Sequence, residues 1–473
     1  MMGLCSSRPD AGGIRPRVPP IAGLVTAVVV VVATALALAA PARATDAGET
    51  IWTRTWGGSE SQARYTLAQA CPGGDVIVAG YITTSAARHI VVARYSPSGR
   101  RRWIRTIDDA GSYFDSPSGL AVDRFGNAVV VGSRQAAGSS DQDILAARIT
   151  KGGRHAWRRV IDAGGPYDQA CAVAVDRDGD AYAACVRPSA VGYASLTFRF
   201  RARNGDTIWM RELSGEHTLH FPADIAIDGN RNTYITGDGL GVGMDEMVSI
   251  KLSPRGSVRW TREVLAAGTY AAAGERIALA PGGVVYAAGT LRTGVHTSDM
   301  VLVKYRTNSD ELWRDVWDAS GAGAGMEHIA DLAADRNGNV FVAGSYALWG
   351  PNPGRAFLAR WKPNKTRWSV VRPDAGNTDT AFSGVVPDNA GGCYVAGGMT
   401  YNVHDADDAV EFGYYARFRS SGTLRWERGY GYVGGRTSFS GIATWPGSGL
   451  CLVGDARDPE NHQGRALVQL RRR

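Results

Sequence analysis

A tryptophan that returns about every fifty residues constrains the fold of this chain more than any other feature. Successive members of the series are 51 to 58 residues apart. A repeat of roughly 20–50 residues is typical of solenoids and propellers, in which each repeat forms one supersecondary unit. The 473 residues are therefore predicted to form one repetitive domain, although length alone suggests two or three. The series comprises Trp52, Trp103, Trp157, Trp209, Trp260, Trp313, Trp368 and Trp426.

Each repeat contains four short segments with the composition of β-strands, separated by turns. In the second repeat, Gly126 supplies the positive φ that a tight turn requires. The continuous apolar run that follows it indicates a strand buried on both faces. The tryptophan lies on the fourth segment. The predicted strands of this repeat are 119–123, 128–132, 143–150 and 155–161.

A second periodic signal counts the repeats. The second strand ends in a small residue eight times, and in five repeats an aspartate lies nine residues earlier, where a turn begins. The small residues are Gly80, Gly132, Cys185, Gly237, Gly289, Gly344, Gly397 and Gly454, and the aspartates are Asp123, Asp176, Asp228, Asp335 and Asp388. The predicted blades begin near Tyr65, Pro117, Ala170, Pro222, Gly274, Glu327, Ala381 and Phe439.

The last repeat lacks its fourth strand, because its third strand, 465–470, runs into the C-terminus. An isolated strand at 50–57, which carries Trp52, precedes the first repeat. If this N-terminal strand completes the last sheet, the ring closes and no sheet edge stays exposed. We therefore predict an all-β fold, an eight-bladed β-propeller of four-stranded antiparallel blades, as a single domain over 45–473. An open stack of sheets is the alternative.

These repeats carry a family resemblance. The run Ala93–Trp103, A-x-Y-x-x-S-G-x-x-x-W, resembles the tryptophan-docking motif of eight-bladed quinoprotein propellers. The pattern D-x-x-G-N-x-x-V-x-G resembles secreted bacterial propeller repeats, including those of the seven-bladed type. Together the resemblance covers nearly all of 50–473. It implies that each tryptophan lies on the outer strand and stacks against the next blade. Trp313 and Trp368 lack the preceding glycine, so their contacts are expected to differ.

An arginine follows six of the eight tryptophans at the second position. Residues i and i+2 of a strand share a face, so these arginines are predicted to join the contact between blades through stacking or carboxylate pairing. They are Arg54, Arg105, Arg159, Arg211, Arg262 and Arg428.

The N-terminus has the pattern of a signal peptide. Arg15 and Arg17 precede an apolar run over 21–40, and Ala42-Arg43-Ala44 is a small-x-small cleavage site. We predict a signal peptide over 1–44, and a secreted, cell-surface or periplasmic protein. An uncleaved membrane anchor is the alternative. Cleavage would remove four Arg and one Asp and lower the formal net charge from +7 to +4.

Five cysteines would remain in an oxidising compartment. Cys171 and Cys185 are equidistant from a hairpin turn at 176–180. Directly opposed antiparallel residues come close enough for a disulfide. A disulfide between them is therefore predicted, with two buried thiols as the alternative. Cys71, Cys393 and Cys451 have no evident partner, and no metal-binding cysteine spacing occurs.

Charge is predicted to separate between the two faces of the ring. The turns between third and fourth strands are rich in Lys and Arg, and this basic face is expected to contact an anionic envelope polymer or a membrane surface. Ordinary solvated charge is the alternative. Nucleic acid is not expected, because no aromatic residues interleave these cations. The basic face includes Arg100, Arg101, Arg102, Lys362, Lys365 and Arg367.

The opposite, acidic face carries the longest loops, 345–355, 399–412 and 455–464. Their carboxylates and imidazoles are the candidate binding residues for a cation or a sugar, although such a mixture of groups in loops is more often ordinary surface. The pairs His217 with His220 and Glu327 with His328 lie on the same face. The candidates are His404, Asp405, Asp407, Asp408, Glu460 and His462.

No catalytic motif of the G-x-S-x-G, H-E-x-x-H or P-loop type is present. We therefore predict a monomeric binding module without a cofactor, for a cell-envelope component or a partner protein. The alternative is an enzyme with its site at the mouth of the central channel. The resemblance implies a dehydrogenase that uses pyrroloquinoline quinone, without the adjacent cysteine pair that many alcohol-oxidising members carry. A lyase that uses a divalent metal is also open.

Overall fold

The computed structural model describes residues 49–472 except 58–61, 108–110, 191, 216, 242–244, 266–268, 322–324, 349–353, 372–377, 389, 402–409, 432–435, 446–448 and 458–463. All named elements in this part of the chain are β-strands. Among these residues no helix is long and apolar enough to cross a bilayer. The predicted signal peptide lies outside the described residues.

The strands form groups of four antiparallel neighbours, each called a blade below; single parallel bridges, Arg88 with Phe114 and Glu411 with Arg436, join two pairs of neighbouring groups. The first strand of every blade is the inner one, and the fourth is the outer one. Blade 1 is β2 (Gln62–Ala70), β3 (Val76–Thr83), β4 (Arg88–Tyr95) and β5 (Arg101–Ile107); blade 2 is β6 (Ser112–Val122), β7 (Ala128–Ala136), β8 (Gln142–Ile149) and β9 (His155–Ile161); blade 3 is β10 (Gln169–Val175), β11 (Ala181–Ser189), β12 (Gly192–Phe200) and β13 (Thr207–Leu213); blade 4 is β14 (Leu219–Ile227), β15 (Thr233–Leu240), β16 (Asp245–Leu252) and β17 (Val258–Val264).

The second half of the chain repeats this order. Blade 5 is β18 (Ala271–Ala280), β19 (Val284–Gly294), β20 (Thr297–Arg306) and β21 (Glu311–Trp317); blade 6 is β22 (Gly325–Ala334), β23 (Val340–Leu348), β24 (Arg355–Trp361) and β25 (Arg367–Val371); blade 7 is β26 (Thr378–Pro387), β27 (Cys393–Tyr401), β28 (Val410–Phe418) and β29 (Leu424–Tyr430); the last three strands are β30 (Arg436–Trp445), β31 (Gly449–Arg457) and β32 (Gly464–Arg472). The all-β class and the four-stranded antiparallel sheets are confirmed.

The fourth strand of the last blade comes from the other end of the chain. β1 (Thr50–Trp56) pairs antiparallel with β32, and Thr53 lies opposite Gln469. Blade 8 is therefore β30, β31, β32 and β1. The first strands of the eight groups begin between one residue (blade 3) and five residues (blade 2) before the predicted starts.

The core lies between blades. Alternate residues of second and third strands face opposite neighbours, so that each blade buries both of its faces. Between blades 1 and 2, for example, Ile77 and Val92 pack with Val130 and Leu145. Equivalent apolar clusters join each later pair of neighbours. A further cluster joins the last blade to the first and contains Trp52, Tyr65, Val78, Cys451 and Val453.

Every first strand contains a β-bulge at the same repeat position. One residue has no opposite neighbour on the second strand, which bends the strand locally. The displaced residues are Thr66, Ser118, Cys171, Ala223, Glu275, Ala330, Ser383 and Ser440.

The bulge explains why the predicted disulfide is wrong. The hairpin register agrees with the prediction as far as Ala172, which pairs with Ala184. Beyond the bulge, Cys185 pairs with Ala170, and Cys171 has no opposite residue. Both thiols are free. Burial raises the pKa of the Cys171 thiol to about 12, so it stays protonated at neutral pH.

The aspartates at the entry of the first turn have the predicted turn role. Asp123 Oδ1 accepts hydrogen bonds from the backbone N–H groups of Phe125 and Asn127, both at 2.9 Å. The same pair of bonds is made by Asp176, Asp228, Asp335 and Asp388. The turns that carry these residues lie on one face of the blades, together with the turns between third and fourth strands. That face is called the turn face, and the opposite one the loop face.

Candidate functional site

The repeated tryptophans bind each blade to the next one near the turn face. In seven of the eight, Nε1–H donates to a backbone carbonyl in the following blade, at 2.8 to 3.1 Å; Nε1 of Trp426 has no hydrogen-bond partner among the described residues. Five of the rings also lie against a glycine whose φ is positive. A β-carbon at Gly153 would lie 2.7 Å from Trp103, and one at Gly205 would lie 2.6 Å from Trp157. The tryptophans therefore serve the scaffold.

The arginines after the tryptophans make the same connection mainly through backbone carbonyls, and Arg159 also makes a carboxylate pair of the predicted kind, with Asp206 at 3.1 Å. Arg54 Nε donates to the carbonyl of Gly99 at 2.9 Å, and Arg211 Nε donates to that of Gly256 at 2.8 Å. Arg105, Arg159 and Arg262 bond to the next blade in the same way. Their main partners are thus backbone carbonyls rather than carboxylates or aromatic rings. Each accepting carbonyl belongs to the positive-φ residue of the turn between third and fourth strands, which is glycine or, at Ser309, its replacement. The spacing of residues in the sequence does not show the direction of this carbonyl.

Two turns lack the glycine and keep the same backbone shape. Ser309 and Lys365 take its place with φ of +93° and +72°. The carbonyl of Thr307 still accepts from Trp260 Nε1, and that of Pro363 accepts from Trp313 Nε1. These non-glycine residues hold a conformation that is uncommon for L-amino acids. The docking contact therefore survives the departures from the motif.

The predicted basic face is partly neutralised by carboxylates. Arg102 Nε lies 3.4 Å from Asp75, while Arg100 and Arg101 are exposed. Lys365 Nζ lies 3.5 Å and Arg367 Nε lies 3.4 Å from the carboxylate of Asp315.

Lys362 is exposed. Several third-strand cations near this face are buried instead, because they donate to carbonyls of the next blade. They are Arg199, Lys304 and Arg360, and the half-buried Lys251 makes the same kind of bond.

Charged residues next to the bulges face the inner edge of the following blade. Asp224 Oδ2 accepts a hydrogen bond from Ile277 N–H at 3.0 Å, and Asp331 Oδ2 accepts one from Val385 N–H at 2.8 Å. Arg276 Nε donates to the carbonyl of Ala330 at 2.8 Å. Inner strands are sheet edges with unpaired backbone groups. These side chains satisfy those groups and link blades 4 to 7.

The inner carboxyls are strongly perturbed. Burial raises the pKa of Asp224 to about 6, and the Ile277 N–H and the Arg276 guanidinium oppose part of the rise. Burial also raises the pKa of Asp331, against the opposing effect of the Val385 N–H and Arg276. A perturbed carboxyl in a channel is a candidate catalytic group. Here both carboxylates already accept backbone hydrogen bonds, which is the arrangement of a structural link.

The loop face carries an excess of exposed apolar side chains. Among the described residues, eight large exposed ones lie in loops or at strand ends on the loop face, against four on the turn face, Phe125, Val258, Leu312 and Leu424. Tyr113 and Tyr167 are each 51% exposed and Tyr270 is 63% exposed. The rings of Tyr193 and Phe221 contact each other across blades 3 and 4, with centroids 4.3 Å apart and planes tilted by 51°. The remaining three are Leu240, Val295 and Met326.

A cleft of about 370 Å³ opens on the loop face between blades 4 and 5. Leu240 and Asp245 form one wall, and Tyr270 and Val295 belong to the other. Arg292 also lines the cleft, where its guanidinium donates to the carbonyls of Gly294 and Val295. The cleft thus combines an exposed aromatic ring with one carboxylate and one guanidinium.

A cluster of His217, Glu246 and Glu263 lies on the other side of blade 4. His217 Nδ1 is 3.3 Å from Glu246 Oε2 and 3.2 Å from Glu263 Oε2. Glu246 is buried, whereas the other two side chains are about 40% exposed. The sequence drew attention to His217 but not to the two glutamates. No local spacing could have identified the two glutamates, since each residue of the cluster comes from a different element.

The six candidate binding residues that the sequence favoured, His404, Asp405, Asp407, Asp408, Glu460 and His462, lie outside the described residues. Two other sequence candidates are described. His220 is buried on β14, and its Nε2 lies 2.9 Å from the carbonyl of Gly215 in the preceding loop. Glu327 is buried, and its carboxylate contacts Ser320 N–H and the hydroxyl of Ser298.

Glu327 gives the fold a pH dependence that can be measured. Burial raises its pKa to about 7, with Asp318 and Asp299 adding to the effect and the Ser320 N–H opposing it. A carboxyl whose pKa is higher in the folded than in the unfolded protein makes a stabilising contribution that is fully present at pH values below the unfolded pKa. This contribution is lost as the pH rises through the folded pKa, which is about 7 here. We expect Glu327→Gln, which resembles the protonated acid, to reduce the loss of unfolding free energy between pH 5 and pH 8 by about 1–3 kcal/mol.

Denaturant titrations of both proteins at the two pH values measure this difference. The buried carboxyls Asp224 and Asp238, whose pKa values burial raises to about 6 and about 7, stay in place and contribute the same slope to both proteins. An identical pH dependence of the two proteins would show that Glu327 does not ionise in this range.

Comparisons with known proteins agree with this architecture. The family model "Beta-propeller repeat" matches residues 208–242, which span β13, β14 and β15. The chain is a β-propeller repeat protein. No curated protein matches it.

Solved structures resemble the propeller in fold only. Sqt1 from Chaetomium thermophilum aligns with 87% of this chain and 97% of its own, at 11% identity and a TM-score of 0.50. The polysaccharide lyase Uly1 aligns with 90% of this chain and 100% of its own, at 10% identity and a TM-score of 0.48. The β-propeller domain of the Trilobed protease from Pyrococcus furiosus aligns with 78% of this chain and 97% of its own, at 9% identity and a TM-score of 0.41.

Proposed function

We propose that this propeller is an exported, eight-bladed binding module that holds its ligand on the loop face. The eight groups of four strands, and the apolar cluster between blades 8 and 1, support a closed ring of eight. The N-terminal sequence pattern supports export. The ligand is a component of the cell envelope or a partner protein, and the module acts as a monomer.

The distribution of exposed apolar residues carries the assignment to the loop face. Exposed aromatic rings on a folded surface commonly mark a binding site. Tyr113, Tyr167 and Tyr270 lie on the loop face. Near the turn face, by contrast, many of the described polar side chains donate hydrogen bonds to backbone carbonyls of the next blade. Carboxylates such as Asp245 make this face a poor match for a polyanion. A sugar-containing polymer or a protein surface fits it better.

Sedimentation with isolated envelope fractions tests the proposal. The full chain should co-sediment with the envelope, and Tyr270→Ala combined with Tyr113→Ala should reduce the bound fraction at least fivefold. Phe125→Ala is the matched control, because Phe125 is 52% exposed on the opposite face. It should bind like the wild type.

A turn-face variant completes the design. Arg100→Ser combined with Arg101→Ser removes two exposed cations from the basic face. If this variant loses binding and the tyrosine variant does not, the ligand is anionic and the loop-face assignment is wrong. A quinone absorption band in the purified protein would favour the enzyme alternative instead.

A further inference from the structure

Three side chains that commonly ligate metals meet on the loop face between blades 3 and 4. His217 belongs to the connection from β13 to β14, Glu246 lies at the start of β16, and Glu263 lies near the end of β17. Their nearest donor atoms all lie within 4.8 Å of one another. This cluster is separated by blade 4 from the cleft described above, and it does not depend on the proposed function.

Both glutamates lie on the side of blade 4 that faces blade 3. Along β16, Val248 and Ile250 pack towards blade 3, so Glu246 faces that side as well. Along β17, Val264 packs towards blade 5, which turns Glu263 to the blade 3 side. Leu213 and Leu219 belong to the apolar cluster of this contact between the blades. A low-dielectric surrounding of this kind strengthens an ionic interaction.

The backbone also holds His217 in place. Its N–H donates to the carbonyl of Leu240 at 2.9 Å, and its φ is +57°. The imidazole therefore projects from a fixed point of the loop. Its Nδ1 faces both carboxylates, while the second carboxylate oxygen of Glu246 lies close to Gly241.

The distances suit tetrahedral coordination. Bonds of about 2.0–2.1 Å to nitrogen and oxygen place neighbouring ligand atoms of a tetrahedron about 3.3 Å apart. The two distances from Nδ1 to the carboxylates are 3.3 and 3.2 Å. One imidazole with two carboxylates suits Zn²⁺ and similar first-row ions.

We propose that His217, Glu246 and Glu263 bind one divalent transition-metal ion of the Zn²⁺ class. Three protein ligands leave a further coordination position for water or a ligand group. The ion ties the loop before β14 to the third and fourth strands of the same blade. It thereby fixes the rim of the loop face next to the aromatic pair Tyr193 and Phe221.

Calorimetric titration with ZnCl₂ tests the site on the full chain after dialysis against a chelator. The wild type should bind one Zn²⁺ per chain. His217→Asn and Glu263→Gln should each lower the affinity at least tenfold, and asparagine tolerates the positive φ at this position. Glu212→Gln is the matched control, since this nearby carboxylate pairs with Arg187 and should leave Zn²⁺ binding unchanged.

Substitution by Co²⁺ gives a second readout, because a tetrahedral Co²⁺ site absorbs visible light and a hydrated ion hardly does. This band should appear in the wild type and in Glu212→Gln, and disappear in His217→Asn. Circular dichroism in the presence of chelator confirms that the variants are folded. Absence of Zn²⁺ binding by the wild type, or equal binding by the His217 and Glu263 variants, would overturn the proposal.

Discussion

A variant that lacks residues 49–57 is expected to lose much of the thermal stability of the protein. The deletion removes β1 and leaves the outer edge of β32 without a partner. It also removes Trp52, whose Nε1 donates to the carbonyl of Pro97 at 2.8 Å, and Arg54, which donates to that of Gly99. We expect the unfolding midpoint to fall by about 10 °C or more.

The deletion should also cause self-association, because a free sheet edge pairs readily with another chain. Thermal melts followed by circular dichroism, together with size-exclusion chromatography, measure both effects. Ile51→Ser is the control, since Ile51 lies on the same strand and is 46% exposed. A deletion variant that melts like the wild type and stays monomeric would show that β1 does not close the ring.

The second large effect is expected from Trp157→Ala. Trp157 is 6% exposed, packs on Gly205, and donates from Nε1 to the carbonyl of Ala202 at 2.9 Å. Removing a buried tryptophan costs about 3–5 kcal/mol of unfolding free energy. Trp157→Phe keeps a ring but loses the hydrogen bond, so an intermediate loss is expected.

Urea denaturation compares these variants with Val160→Ala, a control on the same strand. Val160 is 38% exposed, and its truncation should cost less than about 1 kcal/mol. Equal losses for Trp157→Ala and Val160→Ala would mean that the tryptophan does not hold blades 2 and 3 together.

The repeated features of the sequence predicted the scaffold well. A large ring such as that of Trp157 on an outer strand can bury its area only against the next blade, so its spacing reports the blade period. The aspartates before the first turn, such as Asp123, act through local backbone geometry. Local geometry of this kind is visible in a few consecutive residues.

The β-bulge was not predicted, because one extra residue on the inner strand hardly changes the hydrophobic pattern. It is the reason that Cys171 and Cys185 are not opposed. A signal was nevertheless present in the repeats. The pair Ser-Gly occupies the bulge at 118–119, 383–384 and 440–441, and Ala-Asp occupies it at 223–224 and 330–331. Aligning the repeats at this position would have marked Asp224 and Asp331.

The candidate sites were less accessible to sequence reasoning. His217, Glu246 and Glu263 are far apart in the chain and meet only because β16 and β17 pair within one blade. The cleft near Tyr270 depends in the same way on two neighbouring blades. Side chains that converge from separate elements leave no mark in local spacing.

Cysteine trapping between the two ends of the chain tests the closed ring most directly. Thr53 lies opposite Gln469, whereas Val468 lies opposite Arg54. The double variant Thr53→Cys with Gln469→Cys should form an intramolecular disulfide on mild oxidation, detected as a linked peptide by mass spectrometry. Thr53→Cys with Val468→Cys is one residue out of register and should link poorly. No link between positions 53 and 469, or a link only between separate chains, would contradict closure of the ring by β1.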